Sequence, residues 1–153
     1  MKALTKILAS NDVGTTGSHQ AGIHIPKQKE FLEFFPSLDK KIYNPDALIN
    51  FYDCDQTIWE FRFVYYNNLF FGKTRNEYRL SRISRFLKKF DAKESDGLTL
   101  IRDANDKYLI SIVPYEKLKE SRTDDQDPIQ TDVLINEETI DLVFDEEWNL
   151  TIL

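Results

Sequence analysis

Residues 57–66 read TIWEFRFVYY. Trp59, Phe61, Phe63 and Tyr65 fall on one face of an extended chain, and Ile58, Glu60, Arg62, Val64 and Tyr66 on the other. Aromatic and β-branched side chains at a period of two predict a strand. Asn67-Asn68 follows as a tight turn, and Leu69, Phe70 and Phe71 open a return strand. Toward the N-terminus, residues 48–53 predict the preceding strand, with Asn44-Pro45 as a turn before it. Residues 27–35 have the spacing of a short amphipathic helix, and Pro26 ends a strand over residues 21–25. Ahead of that strand, residues 10–19 mix Gly14 and Gly17 with Asn, Asp, Thr and Ser, the composition of an irregular loop.

On the C-terminal side, residues 72–79, GKTRNEYR, form a dense polar run. Leu80, Ile83, Phe86, Leu87 and Phe90 then recur at helical spacing, with Arg79, Arg82, Arg85 and Lys89 at the same spacing on another side. Residues 98–102 and 108–113 predict two strands joined by the turn Asp103-Ala104-Asn105-Asp106. Residues 121–130 read as an acidic loop, and residues 131–135, 140–144 and 149–153 as short closing strands. This order predicts a mainly β fold with two or three short helices, closed or nearly closed into a barrel. The 153 residues fit one domain.

Formal net charge is −6, but it is unevenly spread. Residues 62–90 hold eight basic side chains against Glu77 alone, whereas residues 91–153 hold 17 acidic and six basic ones. That asymmetry creates a local field stronger than the total implies. Two readings follow: a basic surface for a polyanion, or a solvated basic helix balanced by acidic surface elsewhere. Apolar runs are far shorter than the roughly 18–20 residues of a membrane helix, and the N-terminus lacks the apolar stretch of a secretory signal. Cys54 is the only cysteine, so no intrachain disulfide forms and a reducing compartment is expected.

Gly72-Lys73-Thr74 has the ending of a phosphate-binding loop. That motif needs a glycine five residues earlier, where Asn67 stands, and Phe70 and Phe71 would crowd the nest. His19 and His24, the only histidines, lack Cys or a clustered carboxylate set at ligand spacing, so no metal site is expected. His19 in its polar loop suits a base edge or phosphate as well as an ordinary loop role. Asp91-Ala92-Lys93, with Asp103 and Asp106 nearby, has the short acid-x-Lys spacing of nucleases, but it follows a predicted helix rather than a rigid core strand. The strongest local signal is residues 73–79. Lys73 and Arg75 have the donors that fit guanine, Asn76 fits adenine, and Glu77 fits the cytosine amino group. Arg82, Arg85, Lys88 and Lys89 suit phosphate neutralisation. Glu77 inside a basic run reads as a base contact or as an orienter of its arginine neighbours.

Residues 11–26, NDVGTTGSHQAGIHIP, and residues 65–79, YYNNLFFGKTRNEYR, resemble the N-terminal effector domain of EcoRII-type (type IIE) restriction endonucleases. Residues 96–100, DGLTL, and 147–150, EWNL, fit in the same order, so the resemblance runs over nearly the whole chain. It implies a B3-like DNA-binding pseudobarrel with two arms that grip the major groove. Carried over, one arm holds Asn11, Asp12, Thr15, His19, Gln20 and His24. The other holds Lys73, Thr74, Arg75, Asn76, Glu77, Tyr78 and Arg79, with Arg82 and Arg85 following. Two positions depart from the family's pattern: His24 stands where a tyrosine is expected, and Tyr78 where a second basic residue is expected. The implied partners are sequence-specific double-stranded DNA, with a CCWGG-like site, and a separate C-terminal nuclease domain of the same enzyme. A monomeric, non-catalytic chain without cofactor, metal or membrane association, in a bacterial cytoplasm, is the matching expectation. Its rivals are a free-standing transcription regulator on the same fold, a nuclease acting alone, and a protein-binding barrel with a coincidental basic stripe.

Overall fold

The computed structural model describes residues 1–14, 22–68, 72, 75–123, 140–143 and 148–152. Nine strands among them form one sheet: β1 (Lys2–Ile7), β2 (Ile23–Ile25), β3 (Asp46–Tyr52), β4 (Ile58–Asn67), β5 (Asn76–Ser81), β6 (Gly97–Arg102), β7 (Tyr108–Val113), β8 (Ile140–Val143) and β9 (Trp148–Ile152). Their spatial order is β2-β5-β4-β3-β7-β6-β1-β9-β8. Only the β3–β7 pairing is parallel. Three short helices complete the described fold: α1 (Lys29–Leu32), α2 (Ser84–Lys89) and α3 (Tyr115–Thr123). The sheet curls, because Ile23 and Ile25 of the edge strand β2 share one core with Trp148 and Leu150 of β9. Phe31 of α1 lies in that core and meets the Trp148 ring edge-on, with centroids 5.7 Å apart.

β4 is the strand that alternation predicts, and it turns Phe61 and Phe63 into the core. The 97–113 hairpin also stands where turn chemistry puts it. Its turn and the β3–β4 turn are built alike. The Asp53 carboxylate accepts hydrogen bonds from the amides of Asp55 and Thr57, both at 2.9 Å. The Asp103 carboxylate accepts from the amides of Asn105 and Lys107 at 2.8 and 2.9 Å. In each, the fourth residue takes a left-handed conformation, Gln56 with φ 61° and Asp106 with φ 60°. This is the three-residue hairpin loop that ends in a bulge. Asp103 therefore serves its own turn, and Asp106 pairs with Arg102 at 3.0 Å. Asp91 is exposed and pairs only loosely with Lys93, at 3.6 Å.

Three segments differ from the sequence reading. β1 escapes prediction because Lys6 interrupts its apolar face; Lys6 is buried and paired with Asp12 at 2.5 Å. Residues 76–81 are a strand, although their polarity and the spacing of Leu80 with Ile83 point to a loop and a helix. The helix begins only at Ser84, after a kink at Arg82 with φ 66°. The apparent helical series is a strand period of two joined to one and a half helical turns. α3 reaches into the first residues of the expected acidic loop; the expected strands over 69–71 and 131–135 lie outside the described residues.

Asp53 also accepts the Trp59 indole N–H at 2.9 Å and lies 3.6 Å from the Lys89 ammonium. Burial alone would raise its pKa, but these hydrogen bonds and Lys89 outweigh it and hold the carboxyl below its ordinary value. Asp53→Ala strips an acceptor from three N–H groups, and we expect a loss of about 2–4 kcal/mol. Because the native pKa is depressed, the stabilisation is complete above the unfolded carboxylate value of about 3.9 and fades as pH falls through the native one. Urea unfolding of wild type and variant across acid pH checks both; equal stability near neutrality would refute the role.

Candidate functional site

The site is organised by the seam between β2 and β5, which pairs Ile23 with Leu80, His24 with Arg79 and Ile25 with Tyr78. Just before β2, Gly22 has φ 101°, and a Cβ there would meet the Leu80 carbonyl oxygen at 2.3 Å. Only glycine permits so close an approach of the two backbones. The Gly22 carbonyl accepts a hydrogen bond from Arg79 Nη1 at 2.9 Å. The seam is antiparallel, so the segment entering β2 and the segment entering β5 leave it at opposite ends.

Alternation along β5 sorts the polar run by face. Tyr78 and Leu80 point into the core, with Tyr78 only 5% exposed. Its ring stacks between Phe63, at 5.6 Å, and Tyr65, at 4.3 Å. Glu77 and Arg79 are turned outward and form a fork: Arg79 Nε donates to Glu77 Oε1 at 3.1 Å and Nη2 to Oε2 at 3.4 Å. Three of the five guanidinium N–H groups are thus committed to the protein, and the planar group is held in one orientation. His24 stands next to Arg79 across the seam. Desolvation and then the Arg79 charge lower its pKa, with Lys6 and Lys27 adding to them and Glu77 opposing. At neutral pH the ring is uncharged and carries one donor and one acceptor, a pattern suited to a base edge.

The other expected contacts divide. Arg75 and Arg85 are exposed, and neither pairs with a carboxylate among the described residues. Arg82 is exposed and pairs with Glu60 at 3.4 Å. Asn11 is exposed in the turn after β1. Thr15, His19, Gln20, Lys73 and Thr74 lie outside the described residues. Four readings need correction. Asp12 does not face outward: its side chain is 6% exposed, binds Lys6 and accepts the Ala9 amide at 2.8 Å, so it closes a turn. Tyr78 is a core ring, and the basic residue expected there would have to be buried. Asn76 shares the inward register of Tyr78 and Leu80 rather than that of Glu77. Lys89, expected along a phosphate backbone, lies against Asp53 and the Trp59 ring instead. Gly22 and Lys6 escaped the sequence reading. The signal for Gly22 was a glycine directly ahead of a strand; Lys6 gave none. Among the described residues no group of His, Cys, Asp and Glu is arranged to hold a metal ion, and no helix is long and apolar enough to cross a membrane.

The profile of the family described as "Restriction endonuclease EcoRII, N-terminal" matches residues 1–110. The type II restriction enzyme EcoRII of Escherichia coli is 42% identical over 82 residues, which are 50% of this chain and 20% of that enzyme. The chain thus matches about a fifth of the length of that relative. Among solved structures, the Arabidopsis FUS3–DNA complex superposes with a TM-score of 0.56 at 21% identity, covering 72% of this chain and 94% of the other. That likeness establishes a shared B3-type fold.

The environment of His24 sets a direct check. In an NMR titration its midpoint is expected below the usual imidazole value of about 6.5, and lower still in Glu77→Gln, because Glu77 is the group that holds it up. A midpoint at or above 6.5, or an upward shift in the variant, would contradict the geometry of the cluster.

Proposed function

This chain belongs to the family of the EcoRII N-terminal domain, and from that premise we propose that it binds double-stranded DNA in a sequence-specific way. In this reading the segments entering β2 and β5 are two arms laid into the major groove. The carrying observation is the Glu77–Arg79 fork beside His24, outward on the seam between those segments. From Leu80 to Asn76 the strand advances four residues, about 14 Å at the usual rise, comparable to the roughly 12 Å width of the major groove. A guanidinium held at Nε, Nη1 and Nη2 keeps one free N–H on each terminal nitrogen for a base edge, and a neutral imidazole beside it reads a donor–acceptor pair. The FUS3 neighbour, whose structure is a complex with DNA, supports DNA binding by a chain of this fold.

The finer reading is that of an effector domain. The chain binds a copy of the recognition site, CCWGG-like, and thereby stimulates a separate nuclease domain of the same restriction enzyme. It is monomeric and does not cut DNA itself. The acids at nuclease-like spacing support this, since Asp103 is spent on its own turn, Asp106 pairs with Arg102 and Asp91 stands exposed.

Selection of bound duplexes from a random pool tests the reading directly. An enriched CCWGG-like site supports it, and recovery of no preferred sequence defeats it. On the selected site, Arg75→Ala and Glu77→Ala are expected to cost about 1–3 kcal/mol each and much less on random duplex. Arg85→Ala is expected to weaken both duplexes alike. Equal losses on both for Arg75→Ala and Glu77→Ala would reduce the surface to a non-specific basic patch. Incubation of plasmid with the purified chain and magnesium is expected to leave the DNA intact; cleavage abolished by Asp106→Ala would overturn the non-catalytic reading.

A further inference from the structure

The basic stripe of residues 62–90 is smaller than its sequence count. Arg62 pairs with Asp46 at 2.6 Å, Arg79 with Glu77, Arg82 with Glu60, and Lys89 with Asp53. What remains exposed and unpaired among the described residues of the stripe is Arg75, Arg85 and Lys88. Arg85 and Lys88 both lie on α2, beyond the Leu80 end of the seam. A duplex laid across the seam would find cations for its backbone at that end and few at the other.

The opposite end carries an open cleft of about 660 Å³. Lys27, Lys29, Lys40 and Arg102 line it, against the single acid Glu33, over a floor of Phe35, Phe63 and Tyr78. Arg102 is spent on Asp106 and the carbonyls of Glu33 and Phe34. Lys29 pairs with Glu33 at 3.5 Å. Lys27 and Lys40 are exposed, and no carboxylate pairs with either among the described residues. Both lie near the turn end of the β4–β5 pairing. Lys27 follows β2 by two residues, past the Ile25–Tyr78 pair. The Lys40 ammonium stands 5.9 Å over the Tyr65 ring, and its carbonyl accepts a hydrogen bond from the buried Asn67 at 3.1 Å.

We infer that Lys27 and Lys40 form a second phosphate-binding bank, which holds the DNA backbone on the side of the groove opposite Arg85 and Lys88. The inference rests on the DNA-binding reading and adds a contact surface to it from a part of the chain whose net charge is negative. Two banks at the two ends of the seam clamp the duplex from both sides. Neither lysine reads a base, so their loss acts on any duplex.

The test is titration of wild type, Lys27→Gln, Lys40→Gln and the double variant against the selected and a random duplex at several salt concentrations. Each single change is expected to lower the slope of log K against log salt by about 0.9, and to weaken both duplexes about five- to tenfold near 0.1 M salt. The double change is expected to remove about twice that slope. Thermal melts should match, since both side chains are exposed. Wild-type affinity and slope in the double variant, with the site preference of the parent intact, would overturn the second bank and leave the DNA-binding reading standing. Absence of duplex binding by the wild-type chain at low salt would overturn both. A loss confined to the selected site would also overturn it, because a phosphate contact does not discriminate sequence.

Discussion

The Tyr78 ring lies between Phe63 and Tyr65, and Phe63 in turn stacks on Phe35 at 4.4 Å. This run of four rings ties β5 to β4 and to the segment after α1. Its consequence reaches the surface through the period of the strand. With Tyr78 inside, Glu77 and Arg79 have to be outside, and a slip of one residue would exchange the two sets. The buried aromatic stack therefore aims the polar fork. Core packing and the outward chemistry of the site are one constraint on β5, which explains why a ring stands inside so basic a run.

The same economy governs the seam. β2 is three residues long and sits at the sheet edge, where pairing alone holds a strand weakly. Gly22 lets it close on β5, Arg79 ties down the Gly22 carbonyl, and Ile23 and Ile25 anchor it in the core. Upstream, the buried Lys6–Asp12 pair fixes the start of the segment that leads to β2. Removing one partner of such a pair strands the other charge in a dry site, so it demands its geometry even where its net stabilisation is small. The chain thus uses a buried ion pair to fix where that segment starts.

Much of the sheet was legible from sequence, for reasons visible in particular residues. β4 alternates without interruption, and the 97–113 hairpin carries both apolar strands and an Asp that caps its own turn. The reading of Glu77 as an orienter of a neighbouring arginine was also legible, since Glu77 and Arg79 pair on the outward face of β5. What stayed hidden has a common physical cause: residues whose environment reverses their usual preference. Lys6 is a cation on an inward face, Asp12 an acid in a loop that is nonetheless buried, and Tyr78 a core ring flanked by charge. Periodicity cannot assign such positions, because their partners are remote in sequence. β5 and α2 misled for a second reason: an inward series at positions 78, 80, 83, 86 and 87 satisfies a strand and a helix in succession, and the join at Arg82 has no apolar marker.

Charge needs the same sorting. A count along the chain treats every lysine and arginine as available to a polyanion, yet the structure commits several to carboxylates placed by turns and adjacent strands. An arginine in an ion pair gains orientation and loses free charge, which suits it to directional recognition. An exposed lysine with no acid nearby keeps its charge and its freedom, which suits it to a phosphate whose position varies with the duplex. On this chain Arg79, of the first kind, stands on the outward face of β5, and exposed lysines of the second kind, Lys88 on one side and Lys27 with Lys40 on the other, stand toward its two ends. Direction in the middle and loose attraction at the margins is the distribution a groove-reading surface requires, because register must be set by the backbone before base edges can be told apart.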